Sequence, residues 1–84
     1  MMKDYEKLIA DHVYEGLREK LKGKVTAYVD NDTLVMKVTM LETEYTREIY
    51  RLAEKTILGQ INVNDIVDEF CKKYQRFIMK GYFR

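Results

Sequence analysis

Few side chains in this sequence have the capacity for nucleophilic, acid–base or metal chemistry. There is one histidine, His12, one cysteine, Cys71, and no serine. A cysteine–histidine nucleophile needs a third group to orient the imidazole and a cleft to hold substrate. His12 falls one helical turn from Leu8 and Gly16, on the side of the first segment that collects its apolar residues, where a packing or boundary role is expected. Cys71 sits beside an apolar stripe, the setting of a buried, unreactive thiol. One histidine and one cysteine are too few for a structural zinc site. Asp30-Asn31-Asp32 puts two carboxylates at calcium-loop spacing, but the glycine and distal glutamate of such a loop are missing, and turn chemistry accounts for the triplet. Gly16, Gly23, Gly59 and Gly81 are isolated from one another, so no glycine-rich loop cradles a phosphate. These residues point to a chain that is not an enzyme, with no catalytic set, no metal site, no cofactor and no small-molecule substrate.

Charge carries more information. The net charge is +1, so no whole-molecule field draws the chain onto nucleic acid or membrane. Yet the segment from Lys72 to the C-terminus holds Lys72, Lys73, Arg76, Lys80 and Arg84 and no acid, while all 14 acidic residues precede it. Lys72, Arg76 and Lys80 recur every four residues, on one helix face, with Tyr82 and Phe83 adjacent. Basic residues interleaved with aromatics suit phosphates and stacked bases, and equally an acidic protein surface. Cations late in a helix also complement its dipole and solvate its outer face with no partner at all.

The elements that would position these groups follow from the apolar spacing. Residues 3–22 read as an amphipathic helix through Tyr5, Leu8, Ile9, His12, Val13, Gly16, Leu17 and Leu21, stopped at Gly23. Gly16 costs up to about 1 kcal/mol within a helix and marks a place where another element packs closely. Residues 24–41 switch to period two and turn at Asp30-Asn31-Asp32, a hairpin. Residues 43–50 fit a third strand turned around Leu41-Glu42, or the start of a helix. A short helix over 51–58 follows and ends at Gly59. Residues 63–80 form a long helix with Asn62 as N-cap and Val63, Ile66, Val67, Phe70, Tyr74, Phe77 and Ile78 as its apolar stripe, capped by Gly81. The class is α+β: an N-terminal helix, an antiparallel meander of two to three strands, a short helix and a long C-terminal helix packed on one sheet face.

At 84 residues, without proline or a Ser/Gly-rich stretch, the chain reads as one domain. Hydrophobic residues make up 46% and charged ones 35%, which is globular rather than disordered composition. A single cysteine favours a reducing, cytoplasmic setting, and no apolar run is long enough to span a membrane. With Val25, Ala27, Val29, Leu34, Met36, Val38 and Met40 turned to the helices, the opposite face holds Thr26, Tyr28, Val35, Lys37, Thr39 and Leu41. Tyr28, Val35 and Leu41 then make a semi-apolar patch for a dimer or another partner, unless helices cover both faces.

The spacing Leu58-Gly59, Ile66-Val67, Phe70, Tyr74, Phe77-Ile78 and Tyr82-Phe83-Arg84, over residues 45–84, resembles that of small uncharacterised proteins of phages and prophages of Gram-positive bacteria. The resemblance implies an accessory role inside a bacterial cell and carries over no functional residues. The helix–strands–helix order also resembles double-stranded-RNA-binding domains. It departs from them at the acidic Asp30-Asn31-Asp32 turn and at Asp65, Asp68 and Glu69, where that family has lysines. The expectation is a non-enzymatic interaction protein that binds another protein or itself. The alternative is a nucleic-acid-binding module that uses Lys72, Lys73, Arg76, Lys80 and Arg84 with Tyr82 or Phe83 stacking.

Overall fold

The structure, a computed structural model, describes residues 3–82. Its order is α1 (Asp4–Lys20), β1 (Lys24–Asp30), β2 (Thr33–Met40), β3 (Thr43–Ile49), α2 (Leu52–Ile57) and α3 (Val63–Tyr82). The strands form one antiparallel sheet in the order β1-β2-β3. The architecture is the expected α+β one, and 43–49 is strand.

Both hairpins close on two residues. Asn31 and Asp32 have φ of 49° and 61°, the left-handed pair that a tight β1–β2 turn needs and that Asn and Asp tolerate. In the β2–β3 turn Leu41 has φ of 56° and Glu42 is not left-handed, the sign pattern of a turn that normally places glycine first. Asp32 has a second task. Its backbone carbonyl accepts from the amide of Leu52 at 3.0 Å, and its Oδ1 accepts from that of Ala53 at 2.8 Å, so the hairpin turn caps α2.

One face of the sheet is covered. Val25, Leu34, Met36 and Val38 are buried with Ala10, Val13 and Leu17 of α1, Leu52 of α2, and Val67, Phe70 and Tyr74 of α3. Ala27, Val29, Tyr45 and Ile49 pack around them. Tyr45, on the outermost strand, is the hub of an aromatic group, with ring centres 5.3 Å from Phe70, 5.7 Å from Tyr74 and 5.1 Å from Phe77. Among the described residues no helix covers the opposite face, and Tyr28 on it stays 44% exposed.

The helices differ from expectation in detail. Val13 and Leu17 of the expected α1 stripe are buried, but Glu6 and Ala10 complete the buried side, while Leu8 and His12, at the other edge of the stripe, are exposed. The shift follows from α1 meeting two surfaces: β1 beneath it and α3 beside it, where a Cβ on Gly16 would lie 2.8 Å from Val67 Cγ2. Glu6 is buried because its carboxylate accepts from the Lys3 amide at 2.8 Å, closing the helix N-terminus. α1 ends two residues early, at Lys20. α3 begins as expected, with Asn62 Oδ1 accepting from the Asp65 amide at 3.1 Å, but it runs through Gly81 to Tyr82 instead of stopping at the glycine. Phe77, expected in the core, is 41% exposed, since it packs on Tyr45 of the edge strand and, among the described residues, no further strand lies beyond.

Candidate interaction surfaces

His12 and Cys71 are not brought together. His12 is exposed, and its Nδ1–H donates to the Leu8 carbonyl at 2.8 Å. Gly16 meets Val67 and Lys20 meets Asp68, so the Lys20 end of α1, not the turn that carries His12, lies beside Asp68. Cys71 lies near Lys20 and Asp68 instead, and eight helical residues, about 12 Å of axis, separate His12 from Lys20. Partial burial pushes the Cys71 thiol above its ordinary pKa, with Lys20 only partly opposing, so the thiolate is disfavoured at neutral pH. No group of three or more His, Cys, Asp or Glu stands ready for a metal among the described residues. A hollow of about 70 Å³ opens between Met36, Arg47, Ile49, Ile66, Glu69 and Phe70. It has room for a few waters and lies well below the several hundred Å³ of a small-molecule site.

The basic stripe is real, but smaller than the charge count suggests. Lys72, Arg76 and Lys80 are exposed on α3 and make no ion pair with any described residue. Lys73 is engaged along the helix by Glu69, four residues earlier, at 2.8 Å, and this hydrogen bond holds the Glu69 carboxyl below its usual range. Asp68 is likewise held low by Lys20, at 2.6 Å across the α1–α3 seam. The side chain of Tyr82, and Arg84 as a whole, lie outside what the structure describes.

The sheet-face residues do not form one patch. Tyr28 and Val35 are cross-strand partners, with Glu48 of β3 completing their row and Lys37 bridging to Glu44 at 3.5 Å nearby. Leu41 is not in that plane. It occupies the β2–β3 turn beyond the end of β2 and is 94% exposed. Leu41 belongs instead to the end of the molecule reached by α3. Met40, the residue before it, has its sulfur 4.0 Å from the Tyr74 hydroxyl, and Tyr45 joins Tyr74 to Phe77. Met40, Leu41 and Phe77 are thus exposed apolar side chains of one region, at the half of α3 that also carries Arg76 and Lys80.

Periodicity did not reveal this cluster, because Phe77 and Met40 fit the core spacing equally well. The signal was Leu41 in a tight turn, where an apolar residue has no core to join. A separate exposed pair, Ile57 and Leu58, closes α2. No helix among the described residues is long and apolar enough to cross a membrane. No family model, no curated protein and no solved structure matches the chain.

Proposed function

We propose that this chain is a non-enzymatic interaction module that docks on another protein through the β2–β3 turn and the second half of α3. The observation that carries the reading is Leu41. A left-handed backbone costs a bulky L-residue about 1–2 kcal/mol, and glycine would avoid it. Leu41 nevertheless holds φ of 56° with its side chain almost wholly in water, so it contributes nothing to the core in return. Burying one leucine in a complex is worth about 1.5–3 kcal/mol, enough to offset that strain. Strained, exposed residues of this kind mark contact sites. Met40 and Phe77 widen the apolar contact, and Arg76 and Lys80 supply a basic rim that fits a partner with an acidic surface around an apolar pocket.

The setting we infer is the bacterial cytoplasm, in an accessory role of phage or prophage type. Support comes from the lone cysteine and from the apolar spacing over residues 45–84.

The reading is tested by affinity capture from lysate of the source cell, with and without nuclease treatment, comparing wild type with Leu41→Asp and with the Arg76→Glu/Lys80→Glu pair. A protein retained by wild type and lost with both variants supports it. Retention by both variants sinks it. Recovery of nucleic acid alone, with a log–log salt slope of about −3 to −4.5, would move the assignment to a phosphate-binding α3.

A further inference from the structure

We propose that two copies of the chain pair through the free edge of β1, in antiparallel register about a two-fold axis at Ala27, to form one six-stranded sheet. This surface is distinct from the docking end, and the proposal does not depend on that end.

The two edges of the sheet are built differently. β3 carries Glu44, Arg47 and Glu48 among its seven residues, the charges by which an edge strand resists pairing. β1 has the uncharged run Val25-Thr26-Ala27-Tyr28-Val29, in which all but Ala27 favour strands, with no proline. Its register with β2 is unbroken from Lys24 to Asp30, so no bulge turns the edge away.

The hydrogen-bond parity is fixed by the turns. A two-residue loop makes Asp30 and Thr33 a bonded pair, so Tyr28, Thr26 and Lys24 also bond to β2, and Val25, Ala27 and Val29 point their amides and carbonyls away from it. The second turn agrees: Met40 pairs with Thr43, which commits the even-numbered residues of β2 to β3 and the odd-numbered ones to β1. No backbone hydrogen bond from elsewhere among the described residues reaches the β1 edge.

A second β1 laid antiparallel with Ala27 opposite Ala27 meets every requirement of that edge. Val25 faces the second copy's Val29, and Ala27 its own mate, as bonded pairs that use all the outward groups. Thr26 falls opposite Tyr28 on the open face of the sheet. Lys24 falls opposite Asp30 at both ends. Neither Lys24 nor Asp30 has an ion-pair partner within the described chain. Shifting the two-fold to Thr26 or Tyr28 leaves residues unpaired and separates the two charges. In the proposed register the two Leu41 ends point in opposite directions, because Lys24 lies at the same end of the sheet as Thr39.

Sedimentation equilibrium on the full chain tests this, with Lys24→Glu, the swap Lys24→Glu/Asp30→Lys, and Ala27→Pro. Wild type should show a concentration-dependent dimer. Lys24→Glu should weaken it about tenfold, and the swap should recover it. Ala27→Pro removes only an outward amide, so it should give a folded monomer by circular dichroism. Hydrogen exchange should show the Val25, Ala27 and Val29 amides more protected in the dimer. A wild type that stays monomeric overturns the proposal, as does a dimer indifferent to the Lys24 charge or one that leaves those three amides unprotected. If the Ala27→Pro chain is unfolded, the charge swap and the exchange pattern decide.

Discussion

Gly16 of α1 lies so close to Val67 of α3 that a Cβ there would sit 2.8 Å from a valine methyl. Val67 is buried and β-branched, so it has little freedom to move aside. Gly16→Ala therefore sets a helix-propensity gain of at most about 1 kcal/mol against an overpacking cost of about 1–3 kcal/mol. The expected net result in urea denaturation is a loss of stability. In the double variant with Val67→Ala the alanine at 16 should become neutral or favourable. A stabilising Gly16→Ala on its own would mean that the two helices are not in this contact.

Leu17 and Phe70 are both fully enclosed in the core. Truncating either to alanine should cost about 2–5 kcal/mol, a large part of the stability of a domain this small. Arg76→Ala, on the exposed face of α3, should change stability by less than about 1 kcal/mol. Thermal melts of the three variants separate core from surface, and comparable losses in all three would contradict the packing described.

Leu41→Gly should raise stability while weakening partner capture. Relief of the left-handed strain outweighs the extra freedom glycine has when unfolded, for a gain of about 0.5–1 kcal/mol. A chain that becomes more stable and binds less well shows strain retained for function. Loss of stability would mean that the leucine contributes to the fold.

The Lys20–Asp68 pair should impose a pH signature on stability. The hydrogen bond and charge of Lys20 hold the Asp68 carboxyl below its ordinary value, so its contribution is present above the normal aspartate range, about 4, and is lost as pH falls through the depressed value. Lys20 is shifted up by the same contact, so its contribution is present below the normal lysine pKa and is lost as pH rises through the raised one. Both side chains are exposed, so the effect is small and screened by salt. The Tm difference between wild type and Lys20→Met should be flat near neutral pH and should shrink at both extremes. A difference that persists unchanged in acid would show that no ion pair forms.

Much of this fold was legible because local chemistry and global packing agree. Asn31-Asp32 is a turn by its own φ preferences, Asn62 caps α3 by its own side chain, and Gly16 announced a close helix contact. Non-local information was not legible. The Asp32 carboxylate caps α2 from 21 residues away, which no local window contains. The buried side of α1 is set jointly by β1 and α3, so His12 and Leu8, placed inside by spacing alone, lie outside. One local signal was passed over: Glu69 stands four residues before Lys73, the favoured helix pair that takes Lys73 out of the free basic face. The docking end brings together Met40, Leu41 and Phe77 from two distant segments, and only the approach of Tyr74 to Met40 and Tyr45 unites them.

The most direct measurement is site-specific photo-cross-linking in cells, with a photoreactive residue at position 41 in one chain and at Glu15, an exposed site on α1, in another. Docking through the β2–β3 turn should give a discrete protein adduct from position 41 that is missing from position 15 and disappears when Arg76 and Lys80 are reversed to glutamate. Equal labelling from both positions, or no adduct from 41, would contradict the proposed function.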